Sequence, residues 1–286
     1  MSDVEHKPLE IYGPPGTRAY VRNGLHFTHT QLGSPYIVHE LRSPSDPPTG
    51  DYTNLPPLPS EYPGGRNIQK VNGVWPDIFI NDLISISAAP IRHSVPCLGF
   101  VVTELPVPGK IDPKKYIPEI KRTGTPLSVM RRLQMGESVL LSDGITFLHG
   151  PPRRPGRKIV ILGDTYDPSA IANLAANPDL LIHEATNAHL PGIDPQTKDE
   201  DTFETVERRT KSRGHSTPQM AGAFAARIGA RKLILNHFSA RYAGSEDESS
   251  EDGIIMKAIS NLAAEKFTGE VICARDFMSV DIELHQ

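Results

Sequence analysis

Three short apolar runs, KIVILGDT (Lys158 to Thr165), DLLIHEAT (Asp179 to Thr186) and KLILNHF (Lys232 to Phe238), constrain the fold more than anything else in the chain. Each reads as a buried strand, and each ends on ionisable side chains: Asp164, His183 with Glu184, and His237. Helical patterns separate them, which predicts a layered α/β architecture with a largely parallel sheet. In such sheets ligands bind beyond the carboxyl ends of the strands, so three ionisable strand ends predict a site there.

The chain has 286 residues, a formal charge of −4 and 38% hydrophobic residues. That length carries an ample core and reads as a single domain, 1–286. The charge gives no polybasic footprint over the whole molecule. Cys97 and Cys273 are the only cysteines, which excludes a disulfide framework and a thiolate zinc cluster. No run of ~18 apolar residues is present to span a membrane, and the first residues lack an apolar leader, so cytosol or nucleus is expected.

The first 65 residues, rich in proline, read as loops and turns around small strands, with Ile37 to Leu41 as one strand. His26, His29 and His39 read as surface or structural histidines. Val74 to Glu104 is mostly strand, and His93 closes one of its runs. Pro106 to Gly124 is a basic, loop-like excursion with Lys110, Lys114, Lys115, Lys121 and Arg122. It is either a solvated charge run or an arm that contacts phosphates. A short helix is expected from Leu127 to Leu133 and a hairpin over Val139 to Leu148, turning at Asp143-Gly144.

Asp167-Pro168 predicts a helix running to Ala176. Residues 187–213 are a polar insertion, expected to be partly disordered. Thr217 caps a helix whose apolar face is Met220, Ala221, Phe224, Ala225 and Ile228, ended by Gly229. A last helix, Gly253 to Phe267, precedes a strand at Val271 to Ala274. His183, Arg241 and Tyr242 read as structural, and His189 carries no signal.

Imidazoles and a carboxylate suit Zn²⁺, and His93, Asp164 and His237 supply both. His215 and Glu184 would form a second layer, an imidazole with an orienting carboxylate. The alternative is coincidence, with Asp164 and Glu184 merely capping the elements that follow them.

GDT at 163 to 165, HEAT at 183 to 186, GHST at 214 to 217 and HFSARY at 237 to 242 resemble, in order, the motifs of the tRNase Z (ribonuclease Z) family of the metallo-β-lactamase superfamily. IYGPPG at 11 to 16, IVHEL at 37 to 41 and APIRHSVPCLGFVV at 89 to 102 match its middle section. The resemblance implies the αββα metallo-β-lactamase fold. It also implies a zinc-dependent endoribonuclease that processes the 3′ end of precursor tRNA, by metal-activated hydroxide attack on a phosphodiester. His93 would hold one zinc, Asp164 bridge both, and His237 hold the other. His215 would contact the scissile phosphate or protonate the leaving oxygen, with Glu184 orienting it. Lys114, Lys115, Lys121 and Arg122 would contact tRNA, although GTPL at 124 to 127 departs from the glycine-proline pattern beside the family's arm. A homodimer is implied as well.

The family's H-x-H-x-D-H string does not occur in these residues; the nearest is His26-Phe27-Thr28-His29. Two zincs with about three protein ligands each, one shared, need roughly five side chains. Three are offered here, so fewer than two zincs are expected. The fold is expected to lack N-terminal strands, leaving an edge and an apolar sheet face uncovered. The competing reading is a truncated, catalytically deficient homologue, or a non-catalytic protein that binds tRNA or a partner chain.

Overall fold

The computed structural model describes residues 7–244, 247 and 249–284. The chain begins with a parallel three-stranded sheet, β1 (Leu9–Gly13), β2 (Tyr36–Arg42) and β3 (Asn67–Gln69), in that order. A helix, α1 (Thr17–Phe27), crosses from β1 to β2. This helix falls where loops and turns were expected. Its inward face is Arg18 and Arg22, buried against Asp51 and Glu61 at 2.6–3.2 Å, so no apolar period advertises it. Nor does it carry a side-chain cap of its own. The Glu40 carboxylate on β2 accepts from the N–H groups of Gly16 and Arg18 instead.

The larger sheet has seven strands. β4 (Trp75–Ile80), β5 (Ile84–Ile91) and β6 (Cys97–Glu104) form an antiparallel meander. Between β6 and β9 the chain builds α2 (Pro113–Arg122), α3 (Val129–Gln134) and the hairpin β7 (Ser138–Leu140) and β8 (Phe147–His149). These share a cluster of Tyr116, Ile120, Leu133, Val139 and Leu141, separate from the main core. The basic excursion is therefore helical, with Asp112 accepting from the Lys114 N–H as its N-cap. It is one wall of a compact unit that includes the following helix and hairpin.

β9 (Lys158–Leu162), β10 (Leu180–Glu184), β11 (Lys232–Asn236) and β12 (Glu270–Cys273) are mutually parallel, giving the order β12-β11-β10-β9-β6-β5-β4. β6 is antiparallel both to β5 and to β9, so β5 runs the same way as β9. The carboxyl ends of β5, β9, β10 and β11 therefore lie along one edge.

Three helices follow: α4 (Phe203–Ser212), α5 (Pro218–Ile228) and α6 (Glu251–Ala264). Ala221, Phe224, Ala225 and Ile228 of α5, with Ile255, Ile259 and Ala263 of α6, pack on Val101, Val160, Leu181, Leu233 and Leu235. Truncating a fully buried leucine here would cost about 2–5 kcal/mol. The helices touch closely, since a Cβ at Gly222 would lie 2.3 Å from the Ala263 carbonyl oxygen. Thr217 caps α5 through the Met220 N–H, and Gly229 ends it at φ 68°.

On the opposite face, Leu41, Trp75, Ile78 and Ala88 form a second cluster with Tyr12, Ile68, Leu98 and Phe100. The small sheet thus covers the β4–β6 end. Farther along, Ile161 points away from the helices and is 41% exposed, whereas Ile234 on β11 is buried.

One other expectation is corrected. After Asp167-Pro168 only a 3₁₀ turn forms, Ser169–Ile171. Tertiary bonds then claim the backbone, with the Asn177 N–H donating to Ile228 and the Asp179 N–H to Lys158. Within residues 187–213 the chain forms α4, opened by a capping box between Thr202 and Thr205. Among the described residues no helix is long and apolar enough to cross a membrane.

Candidate metal centre

The shared edge brings five side chains of the sequence reading together. His93 lies two residues beyond β5, Asp164 two beyond β9, Glu184 at the end of β10, and His237 one beyond β11. His215 enters from the α4–α5 loop. Ligating atoms of His93, Asp164 and His215 lie within 4.8 Å of one another, as do those of Glu184, His215 and His237. The His215 ring stacks on His237 at 5.2 Å and meets His93 edge-on at 4.9 Å. His237 adopts φ 55°, a left-handed conformation that a non-glycine residue holds only under tertiary constraint.

Glu184 organises the cluster. It is 1% exposed, and its two oxygens face four donors. Oε1 accepts from the Thr165 N–H at 2.7 Å and lies 3.0 Å from Nδ1 of His215. Oε2 accepts from the Ser216 N–H at 3.0 Å and the Thr186 hydroxyl at 2.6 Å. A carboxylate offers about four acceptor positions, and here all are filled. Glu184 thus orients its neighbours and has no free lone pair with which to take a proton from substrate. His215 must carry its proton on Nδ1, which leaves Nε2 as the working atom.

The same logic applies to the other imidazoles. Nδ1 of His93 is 2.8 Å from the Gly214 carbonyl, which only accepts, so Nε2 is the acceptor, 3.3 Å from the exposed Ser94 hydroxyl. Nδ1 of His237 is 2.9 Å from the Thr186 hydroxyl, and Nε2 is 3.4 Å from Oδ2 of Asp164. Each ring is held through one nitrogen by a carbonyl, carboxylate or hydroxyl and offers the other, the arrangement typical of metal-binding histidines. This donor set fits a zinc ion. For two ions with three protein ligands each, the described donors fall short.

Cys97 lies beside Gly163, and burial above all, with the Asp164 charge, pushes its thiol up. His183 points to the helix side against Phe224, with ring centroids 5.9 Å apart, and burial holds its pKa below the usual value. Arg241 lies over the Tyr242 ring, its Nε 3.4 Å from Asp194. Lys114, Lys115, Lys121 and Arg122 sit on α2 in the separate unit, where Arg122 is already paired with Glu119 at 2.7 Å.

Sequence reasoning gave no role to Thr186 or Gly214. Both stand inside the quoted motifs, as the last residue of HEAT and the first of GHST, and that position was the available signal.

No family model matches the chain. It is 35% identical over 305 residues to the zinc phosphodiesterase ELAC protein 1 of Bos taurus, covering 99% of this chain and 77% of that protein. It is 30% identical to a ribonuclease Z of Synechococcus, covering 96% of this chain and 70% of the relative. Among solved structures, human tRNase Z short form matches with a TM-score of 0.55 at 26% identity, covering 98% of this chain and 70% of that one. With this extent of identity and this sheet-and-helix arrangement, the chain belongs to the tRNase Z family of zinc phosphodiesterases, within the metallo-β-lactamase superfamily.

Proposed function

We propose that the chain acts, as one domain, as a metal-dependent phosphodiesterase on precursor tRNA, cleaving at the 3′ end. The observation that supports this is the saturated Glu184 carboxylate, which presents Nε2 of His215 beside the imidazoles of His93 and His237 and the carboxylate of Asp164. Zinc held by His93, Asp164 and His237 would act as a Lewis acid on a phosphoryl oxygen and lower the pKa of a coordinated water. His215 would move a proton at Nε2 to the leaving oxygen, its ring fixed by Glu184. Thr186 would keep Nε2 of His237 directed at the metal position. A homodimer is part of the proposal.

The test is cleavage of a 3′-extended precursor tRNA by the full chain, with zinc content measured in parallel. Asp164→Ala should abolish cleavage, and His215→Ala should lower it by about 10²–10⁴-fold. Unchanged cleavage by Asp164→Ala would sink the proposal. The donor count favours a second reading, a protein that binds tRNA without cutting it; RNA binding with substoichiometric zinc and no cleavage would establish that one instead.

A further inference from the structure

The 187–213 segment does more than join β10 to α5. Together with the residues after His237 it encloses a cavity of about 330 Å³, lined among others by Asn187, Lys198, Asp201, Arg209, Arg213 and Arg241. Its lining carries four cations and one carboxylate, on a chain whose formal charge is −4. Asp201 is committed to Arg209 through two bonds of 3.0 and 3.1 Å, and Arg241 to Asp194 at 3.4 Å. The remaining pair is the less committed. Lys198 reaches only the exposed Glu200, at 3.9 Å, and among the described residues nothing pairs with the Arg213 guanidinium.

Three of the lining residues stand close in sequence to residues of the metal centre. Asn187 follows Thr186, Arg213 precedes His215 by two residues, and Arg241 follows His237 by four. The walls are ordered by α4, whose capping box and Asp201–Arg209 pair fix the helix against the cavity. Its volume lies at the low end of small-molecule sites, enough for a phosphate with its attached sugar.

We propose that this cavity is a phosphate subsite for the RNA strand passing through the metal centre, with Lys198 and Arg213 as its working cations. The inference rests on the phosphodiesterase reading above and adds the contact next to the scissile position. It is distinct from the α2 unit, which carries its own lysines on a separate core. A planar guanidinium with no partner among the described residues and a flexible ammonium held only by a 3.9 Å surface contact match an anionic backbone and no apolar ligand.

The experiment is the salt dependence of binding between the full zinc-loaded chain and a fluorescent 3′-extended precursor tRNA. Each phosphate contact to a single strand contributes about 0.7 to the slope of log K against log salt. The double variant Lys198→Gln, Arg213→Gln removes that one phosphate contact and should lower the magnitude of the slope by about 0.7, with zinc content and thermal unfolding unchanged. Lys257→Gln with Lys266→Gln, which removes the same net charge from the α6 side, should leave the slope as it was. An unchanged slope in the first variant, or an equal loss in the control, overturns the subsite. If the unmodified chain binds no RNA at any salt, the RNA reading fails, and the subsite fails with it.

Discussion

Oγ1 of Thr186 and Nδ1 of His237 lie 2.9 Å apart, and the same hydroxyl is 2.6 Å from Oε2 of Glu184. A hydroxyl has one proton, and a carboxylate takes it, so the oxygen must accept from the His237 N–H. Nε2 of His237 then faces Oδ2 of Asp164 at 3.4 Å. One buried carboxylate thereby holds His215 directly and His237 through a threonine.

Thr186→Val keeps the shape and removes the hydroxyl. Zinc affinity, measured by competition with a chromophoric chelator, should fall by about 10–100-fold, the usual effect of losing a group that orients a metal ligand. Thr186→Ser should restore most of it. Equal affinity in the valine variant would mean that His237 is placed by its backbone alone.

Glu184→Gln tests the saturated carboxylate without any metal. Glutamine offers one acceptor oxygen and turns an N–H toward donors, so at least two bonds to a charged acceptor are lost. Each such bond is worth about 1.5–3 kcal/mol, and urea unfolding of the zinc-free protein should show a loss of about 3 kcal/mol or more. A change under 0.5 kcal/mol would mean the four donors are not engaged in solution.

What the sequence revealed followed from how each element is stabilised. β9, β10 and β11 are legible because their stability comes from apolar runs, and α5 because Thr217 and Gly229 mark its ends while its buried face is apolar. α1 is illegible because its buried face is Arg18 and Arg22, paired with acids 29 to 39 positions away. The same contrast holds in the site. His93, Asp164, Glu184, His215 and His237 are chemically conspicuous residue types, whereas Thr186 and Gly214 act through a hydroxyl and a carbonyl whose importance appears only once the strand ends meet.

Gly214→Ala should damage the centre from the backbone side. Gly214 sits at φ 90°, where a non-glycine residue costs about 1–3 kcal/mol. Its new Cβ would lie 2.5 Å from Nδ1 of His93, so the ring must move away from the carbonyl that orients it. Crystals of the variant should show His93 displaced, and zinc affinity should fall. A ring left in place at full affinity would refute the clash.

His183 predicts a pH dependence of stability. It is buried on the helix side with Nδ1 2.8 Å from the Glu184 carbonyl, and burial holds its pKa below the usual value of about 6.5. In the unfolded chain the ring is hydrated and titrates normally, so below that pH the unfolded state binds the proton first. Stability from this residue is therefore full above about pH 6.5 and is lost as pH falls beneath it. Between pH 7.5 and 5.0 the loss attributable to one such histidine reaches up to about 2 kcal/mol. His183→Phe, beside Phe224, should lower stability at pH 7.5 because the bond to Glu184 is gone, yet show a smaller drop on acidification. Urea unfolding of both proteins at the two pH values gives the difference of differences, and an equal drop in each would mean that His183 is protonated without penalty in the folded state.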